Sequence, residues 1–226
     1  MSIGGSLGKA LAPQMGRMAP DLTAGFVREA LSRAINGVGP LPGAAHAADK
    51  QLEEQGGDVD AAIHELIENH VRYAGAQGFV TNLGGVVTAA LTIPANIAGL
   101  AMLQARLVAG IAHLRGYDLQ DPRVRNAVLA CMLGDDVVRS LVKKKKLPAP
   151  PMAIATAPAH DPQLDKVISA EVTSELLTKV AGKRVATTVG RRVPVVGGLF
   201  GAGADGFATW KIGRYADREL LSRTMR

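Results

Sequence analysis

Residues 73–105 read YAGAQGFVTNLGGVVTAALTIPANIAGLAMLQA, 33 consecutive positions without Asp, Glu, Lys or Arg. That length alone would suit a membrane span. Gly84-Gly85 and Pro94 divide the stretch, however, and Asn82, Asn96 and Gln104 carry amides that would need partners in lipid. Two packed helices joined near Thr92-Ile93-Pro94 fit the residues better than one span. Pro94 then falls in the first turn of the second helix, where its missing N–H costs little. This helix places Ile97, Leu100, Ala101, Leu107, Val108 and Ile111 along one broad face and stops at Gly116. Arg106 and His113 count against a spanning version, since a central Arg costs about 2.5–3.5 kcal/mol on insertion scales.

Upstream of this stretch, Asp58 caps a helix whose apolar positions Ala62, Ile63, Leu66, Ile67 and Val71 follow the 3.6-residue period, ending near Gly75 or Gly78. Asp21 to Asn36 forms a shorter helix with Leu22, Phe26, Ala30 and Leu31 toward one side, stopped by the Gly- and Pro-rich residues 37–43. Residues 1–20 read as a flexible leader. Downstream, Asp121-Pro122 and Asp161-Pro162 each combine an N-cap with proline at the first helical position. The first opens a helix with Val124, Val128, Leu129, Met132 and Leu133 buried, ending at Gly134; the second opens a long helix toward Thr188. Between them, Asp135 starts a short helix that ends in Lys143-Lys144-Lys145-Lys146, where positive charge suits the carbonyl end. Pro148 to Pro151 stop it, and the loop to His160 is rich in Pro and Ala. The last segment carries Gly197, Gly201, Ala202 and Gly206, small residues four apart that let helices approach closely.

Composition supports the same picture. Hydrophobic residues make up 47% of the 226, aromatics only 4%, and there are 26 glycines, which favours close helix packing over an aromatic-rich β sandwich. No period-2 strand pattern and no 20 to 50 residue repeat is evident. The expected fold is all-α, a compact multi-helix bundle with Gly-rich, closely packed apolar helices. Residues 1–56 form a leader and N-terminal helical region, and 57–226 form the helical domain. The single Cys131 excludes an intramolecular disulfide or a Cys-based zinc cluster and suits a reducing compartment. No secretory signal or myristoylation pattern is present.

The formal charge of +6 is concentrated late: residues 179–226 carry 10 Lys/Arg against 3 Asp/Glu. Nucleic acid and anionic membranes both reward such clustering. Few aromatics alternate with the basic residues and no nucleic-acid motif occurs, so a membrane surface is favoured over nucleic acid.

Leu91-Thr92-Ile93-Pro94, the helix ending in His113-Leu114-Arg115-Gly116-Tyr117-Asp118-Leu119, and the Pro194-Val195-Val196-Gly197-Gly198 block occur in an order and separation that resemble the EcsC protein family. The similarity covers roughly residues 60–222. It implies a helical bacterial protein, linked by the family's name to an ABC transporter operon, and it supplies no catalytic residue to carry over. At Asp205 the family often has Asn, so no role is carried to that position.

The residues themselves assemble no catalytic set. His64 and His70 bracket a metalloprotease-like string, but they are six apart where a shared helix face needs four, so a solvated helix surface accounts for them and no metal is expected. Asp135-Asp136 reads as a cap after Gly134, and Cys131 as a buried thiol. The glycines at 197–206 lack a P-loop ending. Arg106 and His113 are seven apart and share a face; with Asn96 and Gln104 they are the candidate lining of a polar ligand cleft. Lys143, Lys144, Lys145 and Lys146, together with Trp210, Lys211 and Arg214, are the candidate contacts to anionic lipid, although a core position for Trp210 fits equally well.

These features point to a cytoplasmic, non-enzymatic factor without a cofactor, peripheral at the inner face of the cell membrane. Its expected partner is an anionic lipid surface, with a membrane protein as a further candidate. The alternative is a soluble helical domain that binds a lipid or other apolar ligand in an internal pocket. A hydrolase ranks below both.

Overall fold

A computed structural model describes residues 20–39, 41–83, 89–189 and 194–223; side chains at 20–24, 77–98, 177 and 179–202 lie outside that description. Among the described residues nine helices pack together and 77% of the structure is helical, as the all-α reading expects. In chain order they are α1 (Pro20–Asn36), α2 (Ala44–Glu54), α3 (Val59–Leu83), α4 (Ala89–Leu114), α5 (Pro122–Leu133), α6 (Asp135–Lys143), α7 (Pro151–Ala155), α8 (Pro162–Val189) and α9 (Pro194–Glu219). Two short strands, β1 (Gly37–Val38) and β2 (Leu41–Pro42), pair antiparallel between α1 and α2.

The Asp-Pro signals work as expected. The Asp121 carboxylate accepts from the Arg123 N–H at 2.8 Å and α5 starts at Pro122. Asp58 likewise accepts from the Ala61 N–H at 3.0 Å ahead of α3. α5 is more buried than its stripe suggested: every residue from Asn126 to Leu133 is inside, because α4, α7, α8 and α9 surround it. An all-round apolar helix belongs in a core.

Several boundaries differ from the reading of the sequence. α3 runs through Gly75 and Gly78 to Leu83, and α4 already begins at Ala89, so Thr92-Ile93-Pro94 lies inside a helix. Pro94 is only the sixth residue of α4, where it removes one backbone bond near an end that already leaves its first N–H groups unpaired. The division falls in residues 84–88, outside the described residues. α2 went unread because its buried positions are Ala44, Ala48 and Gln51, a face without large apolar side chains. In the Pro- and Ala-rich loop, Pro151, Ile154 and Ala155 of α7 are buried against α5.

The most extensive helix contact joins α3 and α9. Its closeness depends on two glycines of α9. A Cβ on Gly206 would stand 3.5 Å from Val71 Cγ1, and one on Gly213 would stand 2.9 Å from Ile67 Cγ1 and 3.1 Å from Leu107 Cδ2. Gly206 was one of the small residues expected to allow close approach; the packing of Gly197, Gly201 and Ala202 lies outside the described residues. Gly213→Ala should overpack this junction and lower unfolding stability by about 1–3 kcal/mol, read as a lower urea midpoint at unchanged m-value. The helix propensity gained by the alanine works against that loss and is the smaller effect, about 1 kcal/mol.

Candidate functional site

α6 lies beside the C-terminal half of α9 and meets it through grooves on both of its flanks. One groove, of about 490 Å³, has Val138, Val142 and Lys143 of α6 facing Tyr215 and Glu219 of α9. The other, of about 390 Å³, has Asp135, Asp136 and Val137 facing Trp210, Lys211 and Arg214. The two helices therefore bring Trp210, Lys211 and Arg214 to one groove and Lys143 to the other. Trp210 is 43% exposed and Phe207 62%, and their rings stack at 6.0 Å with planes 16° apart. The core alternative for Trp210 does not hold. Phe207, three residues earlier on the same helix face, was not singled out in the sequence; its i, i+3 spacing to Trp210 was the available signal.

The charges around the aromatic pair are unequally free. Lys211 approaches Asp136 at 3.8 Å, and Arg214 pairs with Asp217 at 3.2 Å. Lys146 turns away to Glu171 of α8 at 2.8 Å. Lys143, Lys144 and Lys145 are exposed and make no ion pair among the described residues. Asp135 and Asp136 do not cap α6 with their side chains: the N-cap is Gly134, at φ 82°, and the carboxylates occupy the first turn and pair with Arg139 at 2.8 and 3.6 Å. Acidic groups there suit the helix dipole.

The expected polar cleft divides. Arg106 donates to the Pro42 carbonyl of β2, and His113 meets Asp49 of α2 at 2.7 Å, so these two do share a face, toward the N-terminal elements. Gln104 faces the other way and is fully buried, and the side chain of Asn96 lies outside the described residues.

Like Gln104 on α4, His70 on α3 and Thr209 on α9 are buried polar residues. His70 is 4% exposed and Thr209 wholly buried. Among the pair bracketing the metalloprotease-like string, His64 is on the surface as expected, whereas His70 is inside. His70 Nδ1 lies 2.8 Å from the Leu66 carbonyl. A carbonyl only accepts, so Nδ1 carries the proton and Nε2 presents a lone pair. Burial lowers the His70 pKa to about 4, against the opposing pull of the Leu66 bond, and the charge of Arg106 lowers it further. Nε2 of His70, both amide atoms of Gln104 and the Thr209 hydroxyl have no hydrogen-bond partner among the described residues. Each such buried group costs about 1–3 kcal/mol.

His160 and Asp165 converge at 2.8 Å, but the same carboxylate oxygen also takes Asn126 at 2.7 Å and Arg28 at 3.3 Å. This network ties α1, α5 and α8 together, and no hydroxyl or thiol among the described residues bonds to His160. Cys131 is fully buried and burial pushes its thiol pKa well up, away from the reactive thiolate. Among the described residues no group of three His, Cys, Asp or Glu could hold a metal ion, and no helix is long and apolar enough to cross a membrane.

The Arg115-Gly116-Tyr117 motif joins the ends of helices. Gly116, at φ 84°, terminates α4 in a conformation that disfavours other residues, with the Tyr117 N–H reaching back to the Ala112 carbonyl at 3.0 Å. The buried Tyr117 then donates its hydroxyl to the Leu221 carbonyl at 2.9 Å beyond α9. Arg115 forks to Asp217 at 2.7 Å and Asp60 at 2.9 Å, binding the end of α9 and the start of α3.

No curated protein and no solved structure matches the chain. The model of the EcsC protein family matches residues 44–225, a span that contains α2 through α9. With that span matched, and with the motif residues joining its helix ends, the chain belongs to the EcsC protein family.

Proposed function

We propose that the protein is a peripheral membrane-associated accessory factor that docks on anionic lipid, at the inner face of the cell membrane, through the face formed by α6 and α9. The observation that carries this reading is the exposed, stacked Phe207–Trp210 pair beside Lys211 and Arg214. Aromatic rings with an apolar body settle at the headgroup level, and nearby cations draw the face to anionic lipid. Lys143, Lys144 and Lys145, which make no ion pair among the described residues, supply charge worth about 1 kcal/mol each near such a surface. Lys211 and Arg214 contribute less while Asp136 and Asp217 hold them. The role is attachment and interaction rather than chemistry.

Flotation tests the reading. The protein should rise with phosphatidylglycerol vesicles at low salt, rise far less with phosphatidylcholine vesicles, and lose most of the anionic binding as salt screens the lysines. The triple change Lys143→Glu, Lys144→Glu, Lys145→Glu should weaken anionic binding at least roughly tenfold, since it removes three attractive charges and adds three repulsive ones. Absence of flotation with either lipid at low salt would refute the proposal.

A further inference from the structure

α6 is nine residues long, and a groove of about 490 Å³ is lined by both its first and its last residue. Asp135, Val138, Arg139, Val142 and Lys143 line it at i, i+3, i+4, i+7 and i+8, which is one face of the helix over about 12 Å. Tyr215 and Glu219, one turn apart, line it from α9, and Pro150 lines it just before α7. The groove is therefore elongated, with a capacity in the range of small-molecule sites.

Val138, Val142 and Pro150 make its lining apolar, and its polar groups differ in how far they are engaged. Arg139 pairs with Asp135 at 2.8 Å, and Glu219 accepts the Met152 N–H at 3.3 Å. Two groups are not engaged. Lys143 is exposed and makes no ion pair among the described residues, and the same holds for Lys144 and Lys145. Lys145 stands at φ 56°, a conformation glycine adopts more cheaply, so the turn gives up backbone stability for a further cation. Tyr215 is 5% exposed, and its hydroxyl makes no hydrogen bond among the described residues. Burial pushes its pKa up, so the phenol keeps its proton and offers a donor.

An occupant that answers these groups carries an apolar chain, an acceptor for the tyrosine and an anion for the lysines. A phospholipid holds them in series as acyl chain, ester carbonyl and phosphate, whereas a free fatty acid has one polar group for both tasks. We propose that the groove beside α6 takes up one acyl chain of an anionic phospholipid, with Val138 and Val142 against the chain, the Tyr215 hydroxyl donating to the ester carbonyl and Lys143 to the phosphate. The proposal rests on the docking reading for the bilayer as the source of that lipid. It adds a site for a single molecule, where docking needs only a charged surface with aromatic anchors.

The test gives the full chain dioctanoyl phosphatidylglycerol as monomers, below the concentration at which they form micelles, and follows the valine methyl resonances. Those of Val138 and Val142 should shift saturably. Dioctanoyl phosphatidylcholine should bind at least about fivefold more weakly, the worth of one lysine, and dodecanoate, which lacks the ester, should also bind more weakly. Tyr215→Phe should fold as the parent does and bind phosphatidylglycerol about 2- to 10-fold more weakly, as loss of one hydrogen bond predicts. Val142→Phe fills the groove and should abolish the shift of Val138, while flotation on phosphatidylglycerol vesicles at low salt persists through the lysines and Trp210. The proposal is overturned if the valine resonances stay in place, or if parent and both variants respond alike. It is also overturned if phosphatidylcholine binds as tightly, or if dodecanoate does, which would make the groove a fatty-acid site. Flotation without a monomer response overturns the groove and leaves docking standing; a monomer response without flotation overturns docking and leaves the groove as a site for lipid already in solution.

Discussion

Replacing His70 by leucine is expected to remove about 3 kcal/mol of pH dependence from the unfolding free energy between pH 6.5 and pH 4. In the folded chain the His70 pKa is lowered from 6.5 to about 4. Between those values the unfolded chain binds a proton that the folded chain refuses, so stability falls as pH falls through this window. Above pH 6.5 both states are neutral and the penalty is absent. Asp121 and Asp165 act elsewhere: their partners hold both below the usual carboxylate pKa of 3.8, so the stability they add is lost only in more acidic solution. The two effects are therefore separable in urea titrations across pH. At pH 7 the leucine variant should be as stable as the parent or more so, since it removes an unpaired buried nitrogen and the Leu66 carbonyl keeps its helical N–H. An unchanged pH slope in the variant would show that His70 titrates normally and is not buried as described.

Arg115→Ala should cost about 2–3 kcal/mol, or roughly 4–12 °C in Tm for a chain of this size. The guanidinium is 18% exposed and its partner Asp217 16%, so alanine leaves a carboxylate largely inside the protein. The loss stays below that of a fully enclosed pair because Arg214 still approaches Asp217 at 3.2 Å and Asp60 is 77% exposed. Arg115→Lys should recover part of the charge but not the fork that spans α9 and α3. A variant that melts within a degree of the parent would remove the structural role assigned to the motif.

The parts of the fold that were legible in the sequence are those set by local chemistry. Asp121-Pro122 and Asp161-Pro162 open helices because a cap and a fixed φ act within one turn, and Gly116 ends α4 because only one backbone conformation fits there. What was illegible depends on partners distant in sequence. α3 keeps Gly75 and Gly78 inside a helix that packs along α9, where tertiary contact outweighs the propensity cost of glycine. His70 looks like a surface residue from its polar neighbours Glu68 and Asn69, yet it is buried on α3, the helix that Gly206 and Gly213 let α9 approach closely. Of the proposed site residues, Trp210, Lys211 and Arg214 line one groove beside α6 and Lys143 lines the other, whereas Arg106 and His113 part from Gln104. Arg106 and Gln104 are two apart, and that spacing puts side chains on nearly opposite sides of a helix.

Trp210 is the only tryptophan in the chain, so its fluorescence reports the proposed docking face without a label. Titrated with phosphatidylglycerol vesicles at low salt, the emission should shift to the blue and become protected from an aqueous quencher, while phosphatidylcholine vesicles leave both unchanged. Protein that binds the anionic vesicles with Trp210 emission and quenching unaltered would contradict docking through α6 and α9.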